Sequence, residues 1–407
     1  MAISKPALER HVDKLREPFA EFAHAQATAG VALLIALIVS LFLANSSAAD
    51  AFQHLQHYTL GLIFGDVSLT TSLLHFVNDG LIMVFFFLIG LEFKRELLAG
   101  ELRDASRIRL LLAAAFGGMV APALLYLAIN HVLPDGYLHG WGIPMATDTA
   151  IAIAILTILG SRVPQSLIAF LVGLAIIDDI GAISVIAIFY TESLAAQPLL
   201  TGLGIFSLLI LANAAGLRHP VAYAVGGILL WAAIVQSGIH ASLAGVIIAA
   251  TVPARPRVHP AEVKADVRQA AEELSADTEP EEVLAKEEEH GRIVQVEQIA
   301  QEGTIPLRRW EHGLELPVAL VILPLFVFLN AGITLSANTF RELLDDPVAL
   351  GVFIGLVVGK PIGILLEVLS VEKMGWSRRP DSMTNRRLLG MGMLAGIGFT
   401  MSTFIDN

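Results

Sequence analysis

The chain has 407 residues, of which 55% are hydrophobic and 16% charged, with a mean hydropathy of +0.69. Soluble domains carry about 25% charged residues, so this composition excludes a soluble enzyme, a disordered chain and a nucleic-acid binder. The net charge of −12 is concentrated in residues 261–303, which hold 13 Asp and Glu against four Lys and Arg, and the lack of cysteine excludes disulfides and thiolate metal sites.

A membrane span needs roughly 20 mainly apolar residues. Residues 1–27 are polar and read as a cytoplasmic N-terminal segment. Eleven apolar segments follow, near 28–45, 74–97, 109–130, 140–160, 166–190, 198–216, 220–236, 238–253, 310–334, 348–370 and 386–407. The stretch LFLANSSAAD resembles a signal-peptide cleavage site, but the 27 residues ahead of the first span and the ten spans after it argue against cleavage. The seventh and eighth spans are short and are separated by the polar break Gln236-Ser237-Gly238. Residues 28–253 thus carry spans one to eight, and residues 310–407 carry spans nine to eleven.

Between them, residues 254–309 read as an acidic cytoplasmic loop with two amphipathic helices broken near Thr278-Glu279-Pro280. Glu272-Glu273 and Glu287-Glu288-Glu289 read as a solvated face. The segment is too short and too polar to bury a core of its own.

Cytoplasmic loops collect Lys and Arg. Counting the N-terminus as gap zero, the even-numbered gaps hold 24 of the 26 Lys and Arg, the odd-numbered gaps hold one, and the last is Lys360 inside a span. This alternation predicts a cytoplasmic N-terminus.

A charge at the centre of a span costs about 2.5–3.5 kcal/mol on insertion scales, so such residues are functional candidates. Asp178 and Asp179 lie at the midpoint of the fifth span, Lys360 beside the midpoint of the tenth, and Asp148, in Thr147-Asp148-Thr149, near that of the fourth. Neighbours on a helix point about 100° apart, so one of Asp178 and Asp179 can meet Lys360 while the other faces a water-filled passage. Hard oxygen donors without sulfur or a histidine cluster suit a proton or a small hard cation. A structural ion pair is the simpler reading of one Asp and Lys360, but it leaves the other acids without a role. Asp79 reads as a backbone hydrogen-bonding residue, and Glu92 and Glu96, beside Lys94 and Arg95, as an interfacial ion-pair cluster. A lone histidine near a helix start, such as His240, reads as a cap or packing residue.

Two spans carry helix-breaking residues: Gly142 and Pro144 precede Thr147-Asp148-Thr149, and the eleventh contains Gly396-Ile397-Gly398-Phe399-Thr400. Broken helices in membranes mark transporter binding sites, and Asp148 can neutralise the positive end of a half-helix.

At these residues the sequence resembles the NhaA family of bacterial sodium/proton antiporters, through FVNDGLIMVFFFLIGLEFKREL, ATDTAIAIAILTILGSRVP, LAIIDDIGAISVIAIFY, SGIHASLAGVI, LPLFVFLNAGI, GKPIGI and GIGFTMS. The resemblance runs from about residue 20 to the C-terminus, excepting the acidic loop. It implies an all-α polytopic inverted-repeat transporter with two discontinuous, crossing helices. It also implies electrogenic exchange of Na+ or Li+ outward for H+ inward across the bacterial inner membrane, with no cofactor, a lipid environment and a homodimer. It makes Asp179 the principal cation ligand and Asp178 its partner, pairing with Lys360. Thr147 and Asp148 would lie at the crossing with the unwound stretch Gly396, Gly398 and Thr400, and Glu92, Glu96, His240 and Glu311 would serve the pH response. The family continues through a twelfth span, where this chain reaches Phe404-Ile405-Asp406-Asn407 within its eleventh. The alternatives are a sodium-coupled solute symporter and an antiporter that is non-functional for want of its last span. A cation channel is disfavoured by the midplane lysine, and an intramembrane protease by two acids adjacent on one helix.

Overall fold

The computed structural model describes residues 18–64, 67–100, 103–159, 163–191, 194–256, 260–272, 291, 294–296, 299, 303–334 and 345–398. The segment 1–17, most of the acidic loop, Arg341 and Thr400 to Asn407 lie outside them.

The first helices are α1 (Pro18–Ala44) and α2 (Ala49–Gln56), with a 118° bend between Thr28–Ala44 and Ala49–Gln56. A hairpin follows, β1 (Thr59–Phe64) antiparallel to β2 (Val67–Ser72), in register from Thr59 opposite Ser72 to Phe64 opposite Val67. This hairpin departs from the all-α expectation. Its signal was in the sequence: TLGLIF and VSLTTS flank Gly65-Asp66, a two-residue pair of the kind that closes hairpins. The remaining architecture is helical.

Next come α3 (Leu73–Ala99) and α4 (Ala105–Val132). The fourth apolar segment is divided: a 3-10 helix covers Leu138–Met145 and α5 covers Thr149–Leu159, with Ala146 to Asp148 extended between them. The chain continues as α6 (Gln165–Phe189), α7 (Ala196–Ala214), α8 (Pro220–Gln236), α9 (Ala241–Thr251) and α10 (Pro260–Glu272). It closes with α11 (Pro306–Asn330), α12 (Pro347–Lys373) and α13 (Asn385–Ala395). The polar break before α9 is real, and Gly238 turns the chain there at φ +86, a conformation that favours glycine.

Among the described residues, six helices are long and apolar enough to cross a membrane: α3, α4, α6, α7, α11 and α12. Their outward faces carry exposed apolar side chains such as Leu124, Ile188, Leu208, Val321 and Phe353, as lipid contact requires. Inside, one apolar cluster joins α4, α5, α6, α12 and α13 through Leu111, Ala115, Leu156, Leu171, Ile364 and Leu388. A second joins α3, α7, α8 and α9 through Leu91, Leu209, Leu230 and Ile248. A third, with Leu33, Phe86, Ile183 and Phe326, ties α1, α3, α6 and α11 together.

Three π-helical turns interrupt these spans, at Phe76–Leu81, Val318–Ile322 and Gly355–Gly359. The last has a local cause. Pro361 has no N–H to donate to the preceding turn, and the widened turn immediately precedes Lys360 and Pro361. Such turns recur at functional sites.

Candidate functional site

The midplane residues converge. Asp178 on α6 is fully buried, as is Lys360 on α12, and Asp179, Thr147 and Asp148 are at most 3% exposed. Lys360 Nζ lies 2.8 Å from Asp178 Oδ2, and it also donates to the carbonyl of Met145, the last residue of the 3-10 helix. A single ammonium therefore ties the middle of α6 to the break in the fourth apolar segment. The lysine's other charge partner is thus a carbonyl at the negative end of a half-helix, where a cation is favoured.

Thr147 Oγ1 is 2.9 Å from Asp178 Oδ2 and 2.9 Å from the carbonyl of Ala395. A hydroxyl has one proton to donate, so it serves one of these acceptors at a time. The two breaks touch through their backbones: the N–H of Asp148 donates to the carbonyl of Ile397 at 2.5 Å. Asp148 Oδ1 accepts from the N–H of Ile151 at 3.1 Å, which makes it the N-cap of α5. Gly396 is needed at the crossing, because a Cβ there would come within 2.4 Å of the carbonyl of Leu356 in the π turn of α12. Gly398 is buried beside it, and Thr400 lies outside the described residues.

The helical offset of Asp178 and Asp179 gives the two carboxylates different surroundings. Asp178 takes Lys360 and Thr147, and among the described residues Asp178 Oδ1, Asp179 Oδ1 and Thr149 Oγ1 are buried without a hydrogen-bond partner. Buried oxygens in this state are costly unless something else satisfies them. Among the described residues no three His, Asp or Glu side chains form a cluster of metal-binding geometry. The oxygens present are those of carboxylates and hydroxyls, the donor chemistry of a hard cation.

A second charged cluster lies at the Ala99 end of α3. Arg95 Nε donates to Glu311 Oε1 at 2.6 Å, and Arg95 also pairs with Glu96. Arg308 stands 3.5 Å from Glu311 Oε2. Glu311, on α11, is 3% exposed, and Glu92 lies one turn along α3 from Arg95 and Glu96. The structure thus brings Glu92, Glu96 and Glu311 together. It does not bring His240 to them. His240 is the N-cap residue of α9, with Nδ1 2.9 Å from Ser242 Oγ. α9 packs along α3, with Gly245 against Met83 to Phe87 and Ala249 against Gly90, and it is the other end of α9, about 16 Å away along an 11-residue helix, that lies beside the charged cluster. There Lys94 Nζ donates to the carbonyls of Ala250 and Val252, each at 2.6 Å. Lys94 is therefore a helix C-cap and not a partner of Glu92 or Glu96.

Asp79 takes part through its backbone: its carbonyl accepts from Trp231 Nε1 at 3.2 Å. Beside it, the amides of Asn78 and Asn330 bond each other reciprocally, at 3.1 and 2.9 Å, joining α3 to α11.

Tyr190 was not singled out in the sequence. Its hydroxyl donates to the carbonyl of His139 at 2.5 Å and accepts from the N–H of Gly142 at 3.0 Å. It thereby fastens the end of α6 to the 3-10 helix that leads to Thr147. A tyrosine at the end of an apolar run reads as a membrane-interface residue, and only the fold shows what its hydroxyl holds.

The Na+/H+ antiporter 1 family model matches residues 20–407. The chain is 45% identical over 399 residues to the Na(+)/H(+) antiporter NhaA 2 of Psychromonas ingrahamii, covering 98% of this chain and 84% of that one. It is 43% identical over 402 residues to the Na(+)/H(+) antiporter NhaA 1 of Shewanella denitrificans, with 99% and 89% covered. The Na(+)/H(+) antiporter NhaA of Sulfurimonas denitrificans is 41% identical over 397 residues, with 98% and 89% covered. With its apolar helices and this similarity along nearly its full length, the chain is a multi-pass bacterial membrane transporter and belongs to the Na+/H+ antiporter 1 family.

Proposed function

We propose that this chain exchanges Na+ or Li+ outward for H+ inward, electrogenically, by alternating access, with Asp179 as the principal cation ligand and Asp178 as its proton-exchanging partner. The observation that carries this reading is the asymmetry of the pair. Asp178 Oδ2 is held by Lys360 and Thr147, while Asp179 Oδ1 is buried and unpartnered. A carboxylate in that position either binds a cation or takes a proton, because an unpaired charge is costly in a buried site. Cation and protons then compete for one place, and opening to each side in turn couples the two gradients.

Thr147, Asp148, Gly396, Gly398 and Thr400 form the crossing that holds the site in this reading. Glu92, Glu96 and Glu311 form the group through which pH acts, with His240 acting separately from the far end of α9. The proposal places the chain in the inner membrane with eleven spans arranged as inverted repeats. Residues 1–27 and the acidic loop 254–309 are cytoplasmic, residues 28–253 and 310–407 form the membrane portion, and two copies associate in the lipid bilayer.

The test is Na+-induced dequenching of a pH-sensitive dye in everted vesicles. Asp179→Asn and Asp178→Asn each abolish the response while the protein remains in the membrane at wild-type abundance. A wild-type response from Asp179→Asn refutes the cation-ligand assignment.

A further inference from the structure

Asn130 is a buried amide near the Val132 end of α4, and the site described above does not use it. Both of its N–H groups and its oxygen are engaged. Nδ2 donates to the carbonyl of Tyr126, one turn back, and to the carbonyl of Pro347, the first residue of α12, each at 3.0 Å. Oδ1 accepts from the N–H of Tyr137 at 3.1 Å. Tyr137 is the N-cap residue of the 3-10 helix, and its carbonyl accepts from the hydroxyl of Tyr126 at 2.7 Å. One end of α4 thus holds the starts of two segments that meet again at the site, where Lys360 of α12 donates to the carbonyl of Met145.

The face that α12 turns to α4 is almost bare. Gly351, Gly355, Gly359 and Gly363 recur every four residues. A Cβ at Gly355 would stand 3.2 Å from the carbonyl of Pro122, and one at Gly359 2.9 Å from Cα of Pro122. Small residues let helix backbones approach this closely. They also offer no ridge of side chains to interlock, so such a face fixes the separation of two helices better than their position along the axis. A buried polar residue can set register where apolar packing does not, as a single asparagine does in coiled coils. Asn130 sits at the end of the glycine stripe in that capacity: a Cβ at Gly351 would stand 2.6 Å from its Nδ2.

We propose that Asn130 is the register pin between α4 and α12, and so a positioning residue for exchange. Pro347 and Lys360 are thirteen residues apart on one span, so the amide sets the depth of the ammonium from about 20 Å away. The same amide fixes the start of the 3-10 helix, so Lys360 and its acceptor Met145 are placed from one point. Asn130 lies too far from Asp179 to ligate the ion and acts through the position of Lys360 beside Asp178. This rests on the exchange reading above and adds a residue outside the binding site.

The test uses the full chain in everted vesicles, with Na+ as the probe and rates normalised to protein in the membrane. Asn130→Ala is expected to raise the apparent KM for Na+ about two- to tenfold, the net worth of one hydrogen bond. Gly351→Ala, which displaces the amide from the α12 side, is expected to raise it in the same range. Tyr126→Phe frees only the carbonyl of Tyr137 and is expected to raise it less. A rise there as large as in Asn130→Ala puts the control at Tyr137 and overturns the pin to α12. An amide with a purely structural role would lower abundance or melting temperature and leave the KM of the remaining folded protein at the wild-type value. That result in Asn130→Ala, beside an active wild-type protein, overturns this inference and leaves the exchange reading intact. Should Asn130→Ala fail to accumulate, Gly351→Ala is read by the same criterion. A wild-type chain without Na+-dependent exchange overturns both readings.

Discussion

The hydroxyl of Thr147 is the smallest part of the site that faces two acceptors. While Asp178 is ionised, the proton of Thr147 is best placed on Asp178 Oδ2, at 2.9 Å. When that oxygen is protonated it becomes a donor, and the threonine proton can turn to the carbonyl of Ala395, also at 2.9 Å. On the proposed exchange, protonation of Asp178 would be felt at the end of α13. Thr147→Val removes the donor and leaves Asp178 with one partner fewer. Its expected cost of about 1–3 kcal/mol corresponds to a loss of about fivefold to more than 100-fold in apparent Na+ affinity. Thr147→Ser keeps the hydroxyl and is expected to stay close to wild type. Titrating Na+ in the vesicle assay distinguishes the two, and equal affinities in both variants refute the switch. At this scale the sequence was informative, because a charge in the middle of an apolar run is visible without a fold. What it left open was which aspartate meets Lys360 by contact, since the angle between neighbours on α6 is known but the position of α12 around it is not.

Among the elements, the two broken helices carry the site, and each is held by contacts outside itself. Tyr190 grips the 3-10 helix at His139 and Gly142. Tyr190→Phe removes one hydrogen bond at each end of that grip. It is expected to slow exchange several-fold, by about 1–2 kcal/mol, without loss of folded protein. An unchanged rate shows that the backbone of the break holds itself. Gly396 allows the second break to lie against the π turn of α12. Gly396→Ala forces a Cβ to within 2.4 Å of the carbonyl of Leu356, and overpacking of this kind costs about 1–3 kcal/mol. The expected outcome is a melting temperature several degrees lower in detergent, measured by thermal unfolding, and an unshifted melting curve refutes the close approach. Gly142, Pro144, Gly396 and Gly398 announced these breaks in the sequence. Tyr190 did not announce its role, because nothing local distinguishes it from an interfacial aromatic. The hairpin β1–β2 was legible in Gly65-Asp66 and its flanking strands, but it lies in the gap between the first two apolar segments, which a reading by membrane spans leaves unassigned.

For the molecule as a whole, polarity across the membrane is the first property to test. The absence of native cysteine makes each introduced thiol unambiguous. On the proposed orientation, His131→Cys, at the exposed far end of α4, is labelled by an impermeant reagent in intact cells. Arg378→Cys, exposed beyond α12, is labelled only in everted vesicles. The reverse pattern overturns the orientation. The alternation of Lys and Arg predicts this polarity from sequence alone, because charge near a span end acts through the membrane and needs no tertiary contact. The same holds for the apolar helices, their breaks and the midplane charges: each depends on the composition of one segment against lipid. The tertiary structure decided everything that depends on how one helix is rotated and set against another. It put Asp178 and not Asp179 on Lys360, gathered Glu92, Glu96 and Glu311 while leaving His240 at the far end of α9, and gave Lys94 to the carbonyls of α9. Helical periodicity determines angles within one element, but the depth and rotation between elements come from side-chain packing over the whole bundle, and no single segment encodes them.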